Sequence, residues 1–238
     1  MVTDGLPEQL ALLGRLPDAS PQRVLRQAVD LAVVAAPACR AASGVLWRAG
    51  DEAPDVCVAS HPEAGDLLDQ QLAAGAGPVF AARAGTCPVE VPDLADDPRW
   101  PRWAAGAVRL GLRAAWTLTR VLDGGDEVII TLYALRPGVL GAADHAAAAL
   151  VLAQAGTALE NSTLYDQVQR TAYQAQEALQ VRSVIDQAKG VLMHARGIDA
   201  DRAFAELRRI SQESNVRVAD VAAWMIARPT RTDGQPGH

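Results

Sequence analysis

The chain has 238 residues, half of them hydrophobic, 21% charged and with a formal net charge of −6; this suits two small packed domains and argues against wholesale disorder. Residues 1–14 lack a basic segment followed by an apolar one, and the richest apolar run, Ala146 to Ala153, is far short of the ~20 residues that span a bilayer, so a soluble, cytoplasmic protein without a membrane partner is expected. Three scattered cysteines (Cys39, Cys57, Cys87) form no CxxC and no zinc spacing; they read as reduced, mostly buried thiols, with a redox or haem sensor as the alternative.

The first predicted element is a helix over residues 20–36, N-capped by Ser20 with Pro21 in its first turn, with Val24, Leu25, Ala28, Leu31 and Ala32 on one face. Strand character follows at Ser43–Arg48, Asp55–Ser60, Val89–Val91, Ala114–Leu122 and Glu127–Leu135, with a hairpin turn at Asp123-Gly124-Gly125-Asp126 between the last two. Short helices fit Asp66–Ala74 and Arg99–Ala107, and His61 reads as a surface residue in a loop. These elements describe an α+β domain, a sheet with flanking helices. From Ala142 to Ala195 a long helix is expected, whose Gln/Ala-rich middle forms a weak heptad suited to a parallel two-stranded coiled coil; a solvated single linker helix is the alternative.

Charge is uneven along the chain. Residues 161–238 hold ten basic and nine acidic side chains, the rest twelve and nineteen, so an anionic partner would dock on the C-terminal third. Lys189 is the one lysine among 22 basic residues.

That third reads as three helices. The first ends at Arg196 with Gly197 as its stop; Asp199 caps a second, Ala200 to Ser214, closed by Asn215; a third runs Val218 to Ala227, before Pro229. At ~100° per residue, Val181, Val184, Ile185, Ala188, Val191, Leu192 and Ala195 share one sector. Arg182, Lys189 and Arg196 drift only ~20° per step of seven and border it. Ala203, Phe204, Leu207 and Ile210 form the core sector of the second helix, with Arg208 beside it. Such a stripe fits either a phosphate backbone or a merely solvated face.

The string Arg182-Ser-Val-Ile-Asp-Gln-Ala-Lys-Gly-Val-Leu-Met193, with Ala203-Phe204, Leu207-Arg208, Ser211, Asn215 and Asp220-Val221-Ala222, resembles the ANTAR domain, an RNA-binding antitermination module. The resemblance implies a dimer acting on paired RNA stem-loops, with Arg182, Gln187, Lys189, Arg208, Ser211 and Asn215 in the family's basic and polar positions. Gly190 would permit close approach of backbone or RNA. Arg196, Arg209 and Arg217 are added from charge geometry. Residues 20–160 resemble a GAF domain in Gly77-Pro78-Val79, Val91-Pro-Asp-Leu-Ala-Asp-Asp-Pro-Arg-Trp-Pro101 and Gly111-Leu112-Arg113-Ala114, and the whole resembles GAF–ANTAR regulators of actinobacteria.

The expected organisation is an extension (1–19), a GAF-like sensory domain with an antiparallel sheet and flanking helices (20–160), a helical linker or coiled coil (161–178), an all-α three-helix RNA-binding domain (179–228) and a flexible tail (229–238). A homodimer through the linker and the GAF-like domain is implied, and a small-molecule effector is compatible with it. Trp47, Phe80, Trp100, Trp103 and Trp116 could line its pocket or simply be core; the residues name no cofactor. No phosphate loop, nucleophile elbow or metal cluster is legible, so neither a catalytic nor a metal site is expected. A helix-turn-helix is the DNA-binding alternative, but VADVAAWMIA is too apolar for a recognition helix. A module that only dimerises or recruits a protein partner is the remaining alternative.

Overall fold

A computed structural model of the chain describes residues 20–85 and 87–227 together with Glu8 and Ala11; the rest of the 1–19 extension and the 229–238 tail lie outside the described residues. The chain divides into two compact units, residues 1–166 and 167–238.

The first unit opens with α1 (Pro21–Ala35). Ser20 accepts from the Arg23 amide at 3.4 Å, and the predicted apolar face is buried throughout. Five strands follow: β1 (Ala41–Trp47), β2 (Val56–Ala59), β3 (Val89–Val91), β4 (Ala114–Val121) and β5 (Glu127–Ala134). They form one antiparallel sheet in the order β2-β1-β5-β4-β3. The β4–β5 connection is the predicted Asp-Gly-Gly-Asp turn, with Gly124 and Gly125 both at φ +90°, a conformation that glycine adopts without steric cost.

Side chains alternate across this sheet. Ala114, Trp116, Leu118, Val128 and Ile130 pack with α1 and with the buried Ala148, Val151, Leu152, Ala155 and Leu159 of α5 (Ala142–Arg196). Gly44 of β1 lets α1 lie close, since a Cβ there would fall 2.6 Å from Val29 Cγ2. On the opposite side Trp47 and Tyr133 of the sheet, with Leu112 from the loop before β4, lie beneath α2 (Pro62–Ala74), α3 (Pro78–Ala84) and α4 (Pro101–Arg109), the last contributing Trp103. There Thr117 and Thr131, paired in register, bring their hydroxyl oxygens to 3.0 Å, and Ser43 Oγ lies 3.3 Å from the Tyr133 hydroxyl.

Three expectations are corrected. The helix predicted from Asp66 begins at Pro62, because His61 sits at its N-cap and its Nδ1 accepts from the Glu63 amide at 3.5 Å. Helix α3 has no predicted counterpart: its seven residues give too little periodicity to register. Of the cysteines only Cys39 is buried, while Cys57 and Cys87 are exposed; burial pushes the Cys39 thiol up to about 12 and desolvation pushes that of Cys57 up to about 11.

The segments quoted for the GAF resemblance fix loops. The Arg113 guanidinium grips Asp93 through both carboxylate oxygens at 2.7–3.0 Å, and the Leu94 amide donates to the Arg113 carbonyl. Gly77 (φ +145°) has no room for a Cβ against Gln71, whose Oε1 accepts from the Val79 amide at 2.9 Å. Gly156 of α5 gives passage to Arg120, which bonds the Ala153 carbonyl and Glu160, and Glu160 also accepts from the Asp123 amide at the hairpin tip.

The second unit contains the C-terminal part of α5, then α6 (Ala200–Ser214) and α7 (Val218–Ala227). Gly197 (φ +65°) ends α5, Asp199 accepts from the Arg202 amide at 2.8 Å to start α6, and Asn215 (φ +53°) closes it, as the sequence predicts. Its core is small: Ala188, Leu192, Ala203, Leu207, Val221 and Ala222, with half-buried Val184, Ile185, Ile198, Ile210, Val218, Met225 and Ile226 around it. Among the described residues no helix is long and apolar enough to cross a membrane.

Candidate nucleic-acid interface

Within the second unit, α5 and α6 border a groove of about 340 Å³ lined by Ala178, Val181, Arg182, Ile185, Asp186, Lys189 and Phe204. Phe204 corrects the sequence expectation: it is 39% exposed, whereas its neighbours Ala203 and Leu207 are fully buried. The wheel sector of a three-helix unit is simply wider than the strip its two partner helices can cover. Arg182 and Lys189 flank Asp186, at 3.9 Å and 3.1 Å. Arg182 is almost wholly in solvent, whereas the Lys189 side chain is one-quarter exposed.

The remaining predicted residues fall into three pairs and two single positions. Arg196 and Arg209 are engaged with acids: Arg196 bonds Glu206 at 2.6 Å across the α5–α6 turn, and Arg209 bonds Glu206 at 2.9 Å and Glu213 at 2.6 Å. Ser211 and Asn215 shape the α6 end, the Ser211 hydroxyl donating to the Val216 carbonyl at 2.6 Å while Asn215 takes the left-handed conformation. Arg208 and Arg217 are exposed and join no ion pair among the described residues. Arg208 lies one turn beyond Phe204 on α6, which sets the two on one face. Gln187 is exposed and donates to Ser183 Oγ at 3.4 Å. Gly190 is exposed in mid-helix, and a Cβ there would meet nothing within 4 Å.

The Glu206 cluster has a pH signature. Hydrogen bonds from Arg209 and then Arg196 hold the Glu206 carboxyl down at about 2, from 4.5. A depressed folded value contributes stability that is present above the unfolded value and is lost as pH falls toward the folded one. Thermal stability of the second unit should therefore decline as pH drops from about 5 to 2. Comparing wild type with Glu206→Gln by circular dichroism checks this: the variant should be less stable at neutral pH and flatter across that window.

In the first unit, the five aromatic residues read as a pocket do not share one side of the sheet. Trp47 packs edge-on against Phe80 (5.5 Å) with Arg83 over its ring, and Trp103 lies between Trp100 and Tyr133. Trp116 is on the other side, stacked on His145 of α5 at 4.0 Å. The sequence does not disclose strand register, and register decides these sides. Beneath α2–α4 the indole N–H groups of Trp47 and Trp103 are buried without a partner among the described residues, and Ser43, Gln71, Thr117 and Thr131 are buried polar residues of the same unit.

A family model described as the ANTAR domain matches residues 173–226. Among solved structures, a GAF domain (GAF3) from Synechocystis sp. PCC6803 in its photoproduct state aligns at a TM-score of 0.50 and 16% identity, covering 63% of this chain and 99% of that one. The free methionine-R-sulfoxide reductase of Neisseria meningitidis aligns at 0.49 and 13%, covering 70% and 91%. The N-acylhomoserine lactone-dependent LuxR-family factor CepR2 of Burkholderia cenocepacia aligns at 0.46 and 19%, covering 67% and 92%. No curated protein matches the chain.

Proposed function

From an ANTAR domain at residues 173–226 behind a GAF-like fold, we propose that this protein is a signal-responsive regulator of gene expression that binds paired stem-loops in nascent RNA and so controls transcription termination. The match to the ANTAR domain carries this reading. The groove flanked by Arg182 and Lys189 supports it, together with Arg208 and Arg217, whose charges no acid among the described residues neutralises. Loops rather than duplex grooves present readable base edges in RNA, and exposed cations on small helices suit the flanking phosphates.

The working division is a GAF-like domain over 20–160, a linker over 161–178 and an RNA-binding domain over 179–228. The linker pairs two copies: Leu164, Val168 and Tyr173 within it, and Leu179 directly after it on the same helix, are 59–71% exposed, and an isolated polar helix is marginal in water. On the sensory side, a small polar effector is placed beneath α2–α4, where the indole N–H groups of Trp47 and Trp103 supply donors. Its occupancy would reach α5 through contacts at the sheet, among them the Asp144 carboxylate, which accepts from the Ala38 amide at 3.0 Å.

The test is binding of the purified chain to an RNA carrying two hairpin loops, against a loop-scrambled RNA and duplex DNA. Gly190→Ala adds a pointed check. Replacing an exposed mid-helix glycine should stabilise the unit by about 0.5–1 kcal/mol, while a methyl group on an RNA-contacting surface should weaken binding. A more stable variant with unchanged RNA affinity would remove Gly190 from the interface, and equal binding to all three nucleic acids would remove the RNA reading itself.

A further inference from the structure

Phe204 is a large apolar side chain that the fold leaves outside its own core. Burying such a side chain typically contributes about 1.5–3 kcal/mol, and this ring forgoes a good part of that while its neighbours Ala203 and Leu207 pack completely. A lone exposed ring would need no explanation. This one lines a groove whose other walls are Val181 and Ile185 and whose polar groups are Arg182, Asp186 and Lys189, with Arg208 one turn away.

We propose that Phe204 is the platform on which one unstacked base of an RNA loop rests, with Lys189, Arg182 and Arg208 taking the adjoining phosphates. This rests on the RNA-binding reading and adds the residue that holds a base. An aromatic face beside cations is the recurrent arrangement for a single-stranded nucleotide, because every base has a π-face and every linkage a negative charge. Asp186 sits between Arg182 and Lys189, fixes the ammonium at 3.1 Å and leaves the groove with one net positive charge; its oxygens can accept from a base N–H edge. The same charges disfavour a second copy as occupant. An isologous contact centred on the groove would set Arg182 and Lys189 against their own counterparts.

The experiment is a protein–RNA double-mutant cycle on the full chain. Loop nucleotides are made abasic one at a time and titrated against wild type, Phe204→Leu and Phe204→Trp. Base–aromatic stacking implies that Phe204→Leu weakens binding about tenfold to a hundredfold, that Phe204→Trp keeps it, and that one abasic position hurts the wild type but adds nothing to Phe204→Leu. Circular dichroism confirms that each variant is folded. Strictly additive losses at every loop position, or a folded Phe204→Leu that binds as wild type does, would overturn the platform and leave RNA reading intact. If Phe204→Leu instead dissociates the oligomer in light scattering, the groove is a subunit contact. A wild type that prefers no loop RNA would overturn the underlying reading.

Discussion

Replacing Lys189 and Arg208 together by alanine is expected to weaken loop-RNA binding by about 100-fold to 10,000-fold at low salt, since each charge-assisted hydrogen bond contributes about 1.5–3 kcal/mol. Both residues flank the Phe204 strip, one from each helix. The double variant should also flatten the dependence of affinity on salt: each phosphate contact to a single strand contributes about 0.7 to the log–log slope, so two should remove about 1.4. Arg196→Ala with Arg209→Ala removes the same formal charge and is the informative control. Those side chains are already bonded to Glu206 and Glu213, so their loss should lower stability more than affinity. Equal affinity losses from the two double variants, or an unchanged salt slope in the first, would show that the cations act as a diffuse field and not as placed contacts.

The second large effect concerns the core of the second unit. Leu207 is fully buried and is one of two leucines among its six central residues, the other four being alanine or valine. A large-to-small change at such a site costs about 2–5 kcal/mol, and a single core in a unit this small supplies only about 3–5 kcal/mol. Leu207→Ala should therefore leave the C-terminal unit largely unfolded at 37 °C and abolish RNA binding, while the sheet unit keeps its own transition. The chain's five tryptophans separate the two readouts, because Trp47, Trp100, Trp103 and Trp116 lie in the sheet unit and Trp224 in α7. Loss of helical signal with an unaltered second melting step is the expected result. One shared transition shifted as a whole would show that the units do not unfold independently.

Local chemistry made much of this architecture legible. Ser20, Asp199, Gly197 and Asn215 announce helix ends because caps are set by a residue and its immediate backbone, and all four act where the pattern puts them. The five strands and the Asp-Gly-Gly-Asp turn are similarly local. What escaped depends on distance along the chain. Glu206 reaches back ten residues to Arg196, so the neutralisation of a basic stripe was invisible in its spacing. Phe204 has the periodicity of a core residue, and only the placement of two other helices leaves it in solvent. The separation of Trp116 from Trp47 follows from strand register, which no single strand encodes. The candidate site was thus readable as a list of side chains and unreadable as a set of partners.

Lys189 has a consequence of another kind. It is the chain's one lysine, and its side chain, one-quarter exposed, stands at the groove. Amine-selective acylation of side chains thus has a single address, which peptide mapping separates from acylation of the α-amino group. Acylation there removes the charge that a phosphate would meet. Covalent chemistry applied to unmutated protein can therefore titrate the interface one molecule at a time, with mass as the counter and bound nucleic acid as the shield.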